Sequence, residues 1–291
     1  MEQKLRRLLD IISPFDCPCS YHGIKMHLER SIFGWPMDIW HANVRGTDVF
    51  LSICIRKGQS PVIILESKSF IKEADDEEFY PLFDQCKAAF PSVYDEPLFL
   101  SAYGAPLHAF NSYIASQETK FSKNENFVHQ FYMNPEQQEK VMELSSLSEG
   151  LPEGYHFDQV DLEKDAEVIT NTWPHSGPAE LLQTKLKLQY GPYALVRLED
   201  EAVAFEISSP FGSQNHLFVF EAHRRKGLGR AVERKLSKGC IQAGNIPFKY
   251  VEISKEAVLE WSNKDPLWTR KDDEHGNPIV TVFTSYNVID E

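Results

Sequence analysis

The chain has 291 residues, 25% of them charged and 42% hydrophobic, with a formal net charge of −13. This length accommodates two domains of ordinary size and the composition is that of a globular protein. The acidity argues against a general nucleic-acid binder and against a protein held on anionic membranes. Five cysteines, an odd number without metal-ligand spacing, argue against a disulfide framework or a metal site and point to reduced thiols in an intracellular protein. No apolar run reaches membrane-spanning length, and no secretory apolar segment opens the chain.

Residues 1–12 place Leu5, Leu8, Leu9 and Ile12 on one face and predict a short amphipathic helix; Glu2 and Asp10 speak against a mitochondrial presequence without excluding import. Strands are predicted at 24–28, 49–55, 62–65, 98–102 and 127–133, the second and third joined by the turn Lys57-Gly58-Gln59. Helices are predicted at 79–89, 108–116 and 135–147, the last starting after Asn134 with proline at its favoured first position. His22, His27, His41, His108 and His129 are dispersed and read as surface or structural groups, and the acidic run 73–78 as a solvated loop or helix start. The Ser/Gly/Pro-rich segment 145–154 predicts a boundary, giving domains 1–148 and 149–291. Beyond it come a strand (155–160), two helices (163–172, 179–189), two strands (193–198, 203–208), a strand opening at Leu217, a helix, a strand (248–253), a short helix (255–262) and a last strand (279–286).

The richest stretch is 215–244, reading NHLFVFEAHRRKGLGRAVERKLSKGCIQAG. Leu217 to Phe220 form an apolar strand, Arg224-Arg225-Lys226-Gly227-Leu228-Gly229 a basic turn, and Leu228, Ala231, Val232, Leu236 and Cys240 recur at helical spacing. A glycine turn opening a helix combines unpaired backbone N–H groups, the positive end of the helix dipole and room for close approach, and so suits an anion such as a phosphate.

Neither a Walker loop nor a Rossmann fingerprint is present. Arg224-x-x-Gly227-x-Gly229 instead resembles motif A of the GCN5-related N-acetyltransferase (GNAT) superfamily, and the order of elements from 155 onward resembles that fold. The second half is similar, more narrowly, to the glycine N-acyltransferase family through Leu151-Pro152-Glu153-Gly154, Trp173, Gly177, Val203-Ala204-Phe205-Glu206, His223 to Gly229 and Val251-Glu252-Ile253-Ser254. The resemblance implies an α/β chain of two tandem acetyltransferase-like domains, the first degenerate. It implies acyl-CoA or acetyl-CoA as co-substrate without a metal, a small amine such as an amino acid as acceptor, a monomer, and a mitochondrial or cytoplasmic location. Protein lysines, polyamines, or a non-catalytic CoA-binding role remain as alternatives.

In that reading Phe218, Val219, Phe220, Arg224, Arg225, Lys226, Gly227, Leu228, Gly229 and Arg230 hold the acyl-CoA. The backbone N–H of Val219 or a neighbour serves the oxyanion. Acyl transfer to an amine needs a base, and where the family places a glutamate, eleven residues before Arg224, this chain has Ser213. His216 and Glu206 are the candidate bases, with proton transfer through water as the third possibility. No tyrosine stands in the helix after 254 to reprotonate the leaving thiolate; Trp261 and Trp268 read as core or pocket wall.

Overall fold

The structure, a computed structural model, describes residues 2–30, 37–56, 58–144, 150–174, 177 and 179–289. The predicted boundary at 148/149 and Lys57 of the predicted turn lie outside them. In chain order the elements are α1 (Glu2–Leu9), α2 (Pro18–Arg30), β1 (Met37–Val44), β2 (Thr47–Cys54), β3 (Val62–Ser67), α3 (Tyr80–Ala89), β4 (Leu98–Ala102), α4 (Gly104–Ala115) and β5 (Phe121–Tyr132). They continue with α5 (Pro135–Glu143), β6 (Tyr155–Phe157), α6 (Asp165–Asn171), α7 (Glu180–Tyr190), β7 (Tyr193–Leu198), β8 (Glu201–Ser208), β9 (Gln214–Val219), α8 (Leu228–Gln242), β10 (Phe248–Glu252), α9 (Glu256–Lys264), β11 (Thr269–Arg270) and β12 (Val280–Val288). The chain is thus mixed α/β, with parallel and antiparallel pairing and helices on the sheets. It divides into a unit of Met1–Phe131, Val251–Lys264 and Arg270–Glu291 and a unit of Tyr132–Tyr250 and Asp265–Thr269.

In the first unit β1, β2 and β3 form an antiparallel meander, β3 pairs parallel with β4, and β12 lies between β4 and β5, antiparallel to both. The last strand, expected to close the second domain, therefore completes the first unit, opposing Leu100 and Glu125 at its residue Thr284. Two expectations differ near the N-terminus. Residues 24–28 are helical, inside α2, because the N–H groups of Cys19 and Ser20 at the start of that helix donate to the Glu66 carboxylate (3.1 and 2.7 Å), a partner supplied by β3. Strand β1 carried no predicted strand because Ile39 and Trp40 are buried in succession, which breaks the two-residue alternation. It joins β2 through Arg45 (φ 50°) and Gly46 (φ 83°), both left-handed as a two-residue hairpin turn requires. The core packs Leu51, Ile53 and Ile63 against Phe83, Tyr94, Phe110 and Tyr286.

In the second unit β6, β7, β8 and β9 are successively antiparallel, and β10 runs parallel to β9. Helices α6 and α7 cover one face, where Ala166, Ile169 and Leu188 pack on Leu195, Phe205 and Ile207. Helix α8 covers the other, laying Leu228, Val232, Leu236 and Cys240 on Ala194, Val196 and Ala204. A buried fork from Arg197 on β7 to Asp165 at the start of α6 (3.0 and 2.5 Å) fixes that helix, and with it Thr172 at its end. The two hydrogen bonds to Asp165 lead in raising the Arg197 pKa, so the charge stays in place. Each unit carries the same series: two helices, three antiparallel strands, a helix and a parallel strand.

Candidate active site

Strand β9 is irregular at the position that matters most for chemistry. Pairing with β8 passes from Phe205↔Phe218 to Ile207↔Asn215, so His216 and Leu217 together oppose the single residue Glu206, and His216 takes φ 56°. This is a β-bulge, and it changes which face each side chain meets. Gln214 donates to Ser237 of α8, whereas His216, two residues on, lies on the opposite face against Phe205 and Trp173, with ring centroids 5.3 and 4.7 Å away. Ser213 belongs to the turn before the strand, where its hydroxyl bonds that of Ser209 at 2.7 Å.

The histidine is held in one orientation. The Thr172 hydroxyl donates its single proton to the Ile169 carbonyl (2.8 Å), so it accepts from Nε2–H of His216 (3.0 Å). In the neutral ring this leaves the lone pair on Nδ1. Burial, seconded by the positive charge of Lys187, pushes the pKa of His216 down to about 4 against the pull of the Thr172 backbone and Glu180. At neutral pH the ring is therefore uncharged, a weaker base than a free imidazole but with its lone pair unprotonated.

Glu206 is not brought to His216. It lies on the α8 face, 2% exposed, near Glu233 and Lys249. Burial and then the Glu233 charge raise its pKa well above the carboxylate range, and its Oε2 has no hydrogen-bond partner. Its neutral form is thereby favoured, and it faces α8 on the side away from His216. Lys249 binds Glu233 at 2.5 Å, and Trp268 donates to the same carboxylate at 3.2 Å. The indole thus has a structural partner in the core, in keeping with the sequence reading.

Beyond the bulge β9 has an open edge. Its pairing with β10 consists of Lys249↔Gln214 alone. Phe220 donates to Val203 of β8 at 3.1 Å, and Phe218 pairs with Phe205, so by alternation Val219 turns its N–H and C=O away from β8. The Val219 carbonyl is taken by Nε of Arg224 at 3.1 Å. A single 3-10 turn, Glu221–His223, then leads through Arg225 (φ 63°) and Gly227 (φ 80°) into α8. Arg224, Arg225, Lys226 and Arg230 are exposed around this helix start. Lys226 donates to the Tyr155 hydroxyl (2.8 Å), which is also hydrogen-bonded to Nδ1 of His223 (2.9 Å), so the turn is tied to β6. Leu228 offers its backbone only, because its side chain is buried in the core, and Phe218 and Phe220 pack partly against the α6 and α7 face.

The glycines show what the turn leaves clear. A Cβ on Gly227 would meet nothing within 4 Å, and one on Gly229 would meet only Val219 Cγ2, at an ordinary 3.7 Å. The left-handed φ accounts for Gly227. Gly229, inside the first turn of α8 where glycine costs about 1 kcal/mol relative to alanine, has neither strain nor packing to explain it.

One feature of the site was not foreseen from the sequence. Helix α7 mixes its polarity: Glu180, Gln183 and Thr184 are buried along with Leu188, while Leu181 and Leu182 are 39% and 49% exposed. Lys187 and Glu180, both felt by His216, form an ion pair of 2.8 Å across two turns. Gln183 lies between them, fully buried, with neither Nε2 nor Oε1 hydrogen-bonded. Leaving such groups unmade costs about 1–3 kcal/mol each. Among the described residues no group of three or more His, Cys, Asp or Glu could hold a metal ion, and no helix is long and apolar enough to cross a membrane.

No family model matches the chain, and no curated protein matches it. Among solved structures, a Drosophila protein determined by X-ray crystallography is similar over 98% of this chain and 96% of its own at 13% identity, with a TM-score of 0.75. That likeness establishes a shared fold over nearly the whole length. Looser likenesses reach a GCN5-related N-acetyltransferase from Kribbella flavida (12% identity, 81% of this chain and 86% of that one, TM-score 0.46). Another is a GCN5-related N-acetyltransferase-like protein from Streptococcus suis (13%, 99% and 100%, TM-score 0.47). At such scores they stand as likenesses only.

Proposed function

We propose that the chain is an acyl-CoA-dependent N-acyltransferase that acts on the amine of glycine or another small amino acid. The observation that carries this reading is the clearing at the start of α8, where Gly229 leaves space the protein itself does not use, beside the open edge of β9. The unpaired N–H groups of the first turn, the helix dipole and Arg224, Arg225, Lys226 and Arg230 suit the pyrophosphate of a CoA thioester. The open edge suits an extended amide-bearing arm, which pairs with it as an added strand. Val219 N–H, directed to that edge, donates to the carbonyl oxygen as it gains charge. Nδ1 of His216 takes the proton of the attacking amine; the new C–N bond forms as the C–S bond breaks, giving an amide and the CoA thiolate, which takes up that proton, directly or through water, to leave as the thiol.

Purified protein mixed with acetyl- or benzoyl-CoA and a panel of amino acids should release free thiol only when an acceptor is present. Tight CoA binding without turnover on any acceptor would overturn the catalytic reading and leave a CoA-binding module.

A further inference from the structure

Resting on the acyl-transfer reading, we propose that Trp173 is the wall on which the body of the acceptor lies, and that the acceptor is an amine carrying an aromatic ring, such as an aromatic amino acid. Five rings form an unbroken row on the α6 and α7 face of the second unit. From Phe220 the centroids run 5.1 Å to Phe218, 5.7 Å on to Phe205, 5.3 Å on to His216 and 4.7 Å on to Trp173. Phe205 is fully buried and serves as a floor, whereas Phe220, Phe218, His216 and Trp173 are only half-buried. The helices cover this face where Ala166, Ile169 and Leu188 pack on Leu195, Phe205 and Ile207, and Phe218 and Phe220 lie at the margin of that cover.

Ring surface left partly open to water gains from being covered, and another ring covers it best, because aromatic rings attract one another beyond the burial of their area. The order along β9 says which reactant supplies that ring. The basic turn holds the cofactor end, Val219 N–H meets the thioester carbonyl, and His216 follows, where the amine gives up its proton. Whatever the nitrogen carries lies beyond His216, and the ring beyond His216 is Trp173. The acyl group, attached at the carbonyl carbon, stays on the Val219 and Phe218 side. Thr172, the neighbour of Trp173 in the chain, is bonded to Nε2 of His216 at 3.0 Å, so wall and base are tied together and hold ring and nitrogen of the acceptor at a set spacing. Trp173 is on this account a specificity residue that touches the acceptor and takes no part in proton transfer.

The test compares phenylalanine with alanine, which differ by the phenyl ring alone, as acceptors for acetyl-CoA. In wild type kcat/KM should be at least about tenfold higher for phenylalanine; equal values or a preference for alanine overturn the proposal. Trp173→Ala should lose this advantage through a raised KM for phenylalanine, and Trp173→Phe, which restores a ring, should recover most of it. A folded Trp173→Ala that keeps the advantage overturns the proposal; if it loses a preference for benzoyl-CoA over acetyl-CoA instead, the ring belongs to the acyl group. Should Trp173→Ala fail to fold, Trp173→Leu takes its place under the same criteria, and failure of both overturns the proposal, since the indole would then be structural. If wild type turns over no acceptor, the acyl-transfer reading has failed on its own, and calorimetric titration decides for Trp173. Phenylalanine bound by wild type at least about tenfold more tightly than alanine, with the difference lost in Trp173→Ala, upholds the wall; equal or absent binding overturns it.

Discussion

His216 gains its usefulness from what surrounds it, and the same surroundings make the fold sensitive to acid. Above pH 6.5, its ordinary pKa, the ring is neutral in the folded and unfolded chain alike. Between 6.5 and about 4 the unfolded chain binds a proton that the folded chain refuses. The depressed pKa therefore contributes stability at neutral pH that is lost as pH falls through this window, by up to about 3 kcal/mol. Urea unfolding at pH 7 and pH 5 should show the loss in wild type and a smaller one in His216→Asn, whose kcat should fall about 100-fold. Equal pH dependence in the two proteins would disprove the assignment. The buried carboxylates under α8 give a second residue-scale expectation. Burial and the Glu233 charge favour the neutral form of Glu206, so Glu206→Gln should cost less than about 1 kcal/mol. Glu233→Gln strips Lys249 of its carboxylate, a loss of about 3–5 kcal/mol for a buried pair, but Glu206 can then ionise and take over. The double variant should cost more than the sum of the singles, and a simple sum in a denaturant-based mutant cycle would refute this coupling.

At the scale of elements, the turn into α8 separates stability from binding. Gly229→Ala adds a methyl that meets only Val219 Cγ2, so the helix should gain up to about 1 kcal/mol. The same methyl fills the clearing, so CoA affinity should drop. Gly227→Glu puts a carboxylate where the phosphates are expected and should abolish binding. Thermal melts with calorimetric CoA titration read both effects; unchanged affinity in Gly229→Ala would remove the cofactor from this turn. These residues were legible in the sequence because strand, glycine turn and amphipathic helix are encoded within one short stretch. The elements that were misread depend on distant partners. Helix α2 needs the carboxylate of Glu66 at its N-terminus, the bulge at His216 arises from pairing against Glu206, and Gln183 is buried because α7 packs its side of the helix on the sheet. A periodicity count reads α7 as a helix but cannot tell that its polar stripe faces inward.

At the scale of the whole molecule, the C-terminal segment decides what can fold alone. Strand β12 fills the place between β4 and β5 in the first unit, and Tyr286 on it is 1% exposed among Phe110, Phe121 and the other core aromatics, with its hydroxyl donating to Asn111 at 2.8 Å. Tyr286→Ala should by itself cost about 3–5 kcal/mol, as for other large core aromatics. Removing the strand also leaves the facing edges of β4 and β5 without backbone partners, a loss that exceeds what a marginally stable unit of about 5–15 kcal/mol can absorb. A fragment of residues 1–148, the first domain as the linear sequence suggests it, should therefore lack cooperative unfolding and fixed near-ultraviolet dichroism, and should bind hydrophobic dyes. Joining residues 270–291 to that fragment through a flexible linker should restore a cooperative transition, because the strand and Tyr286 return together. Cooperative unfolding of 1–148 without the added segment would show that the first unit does not depend on β12.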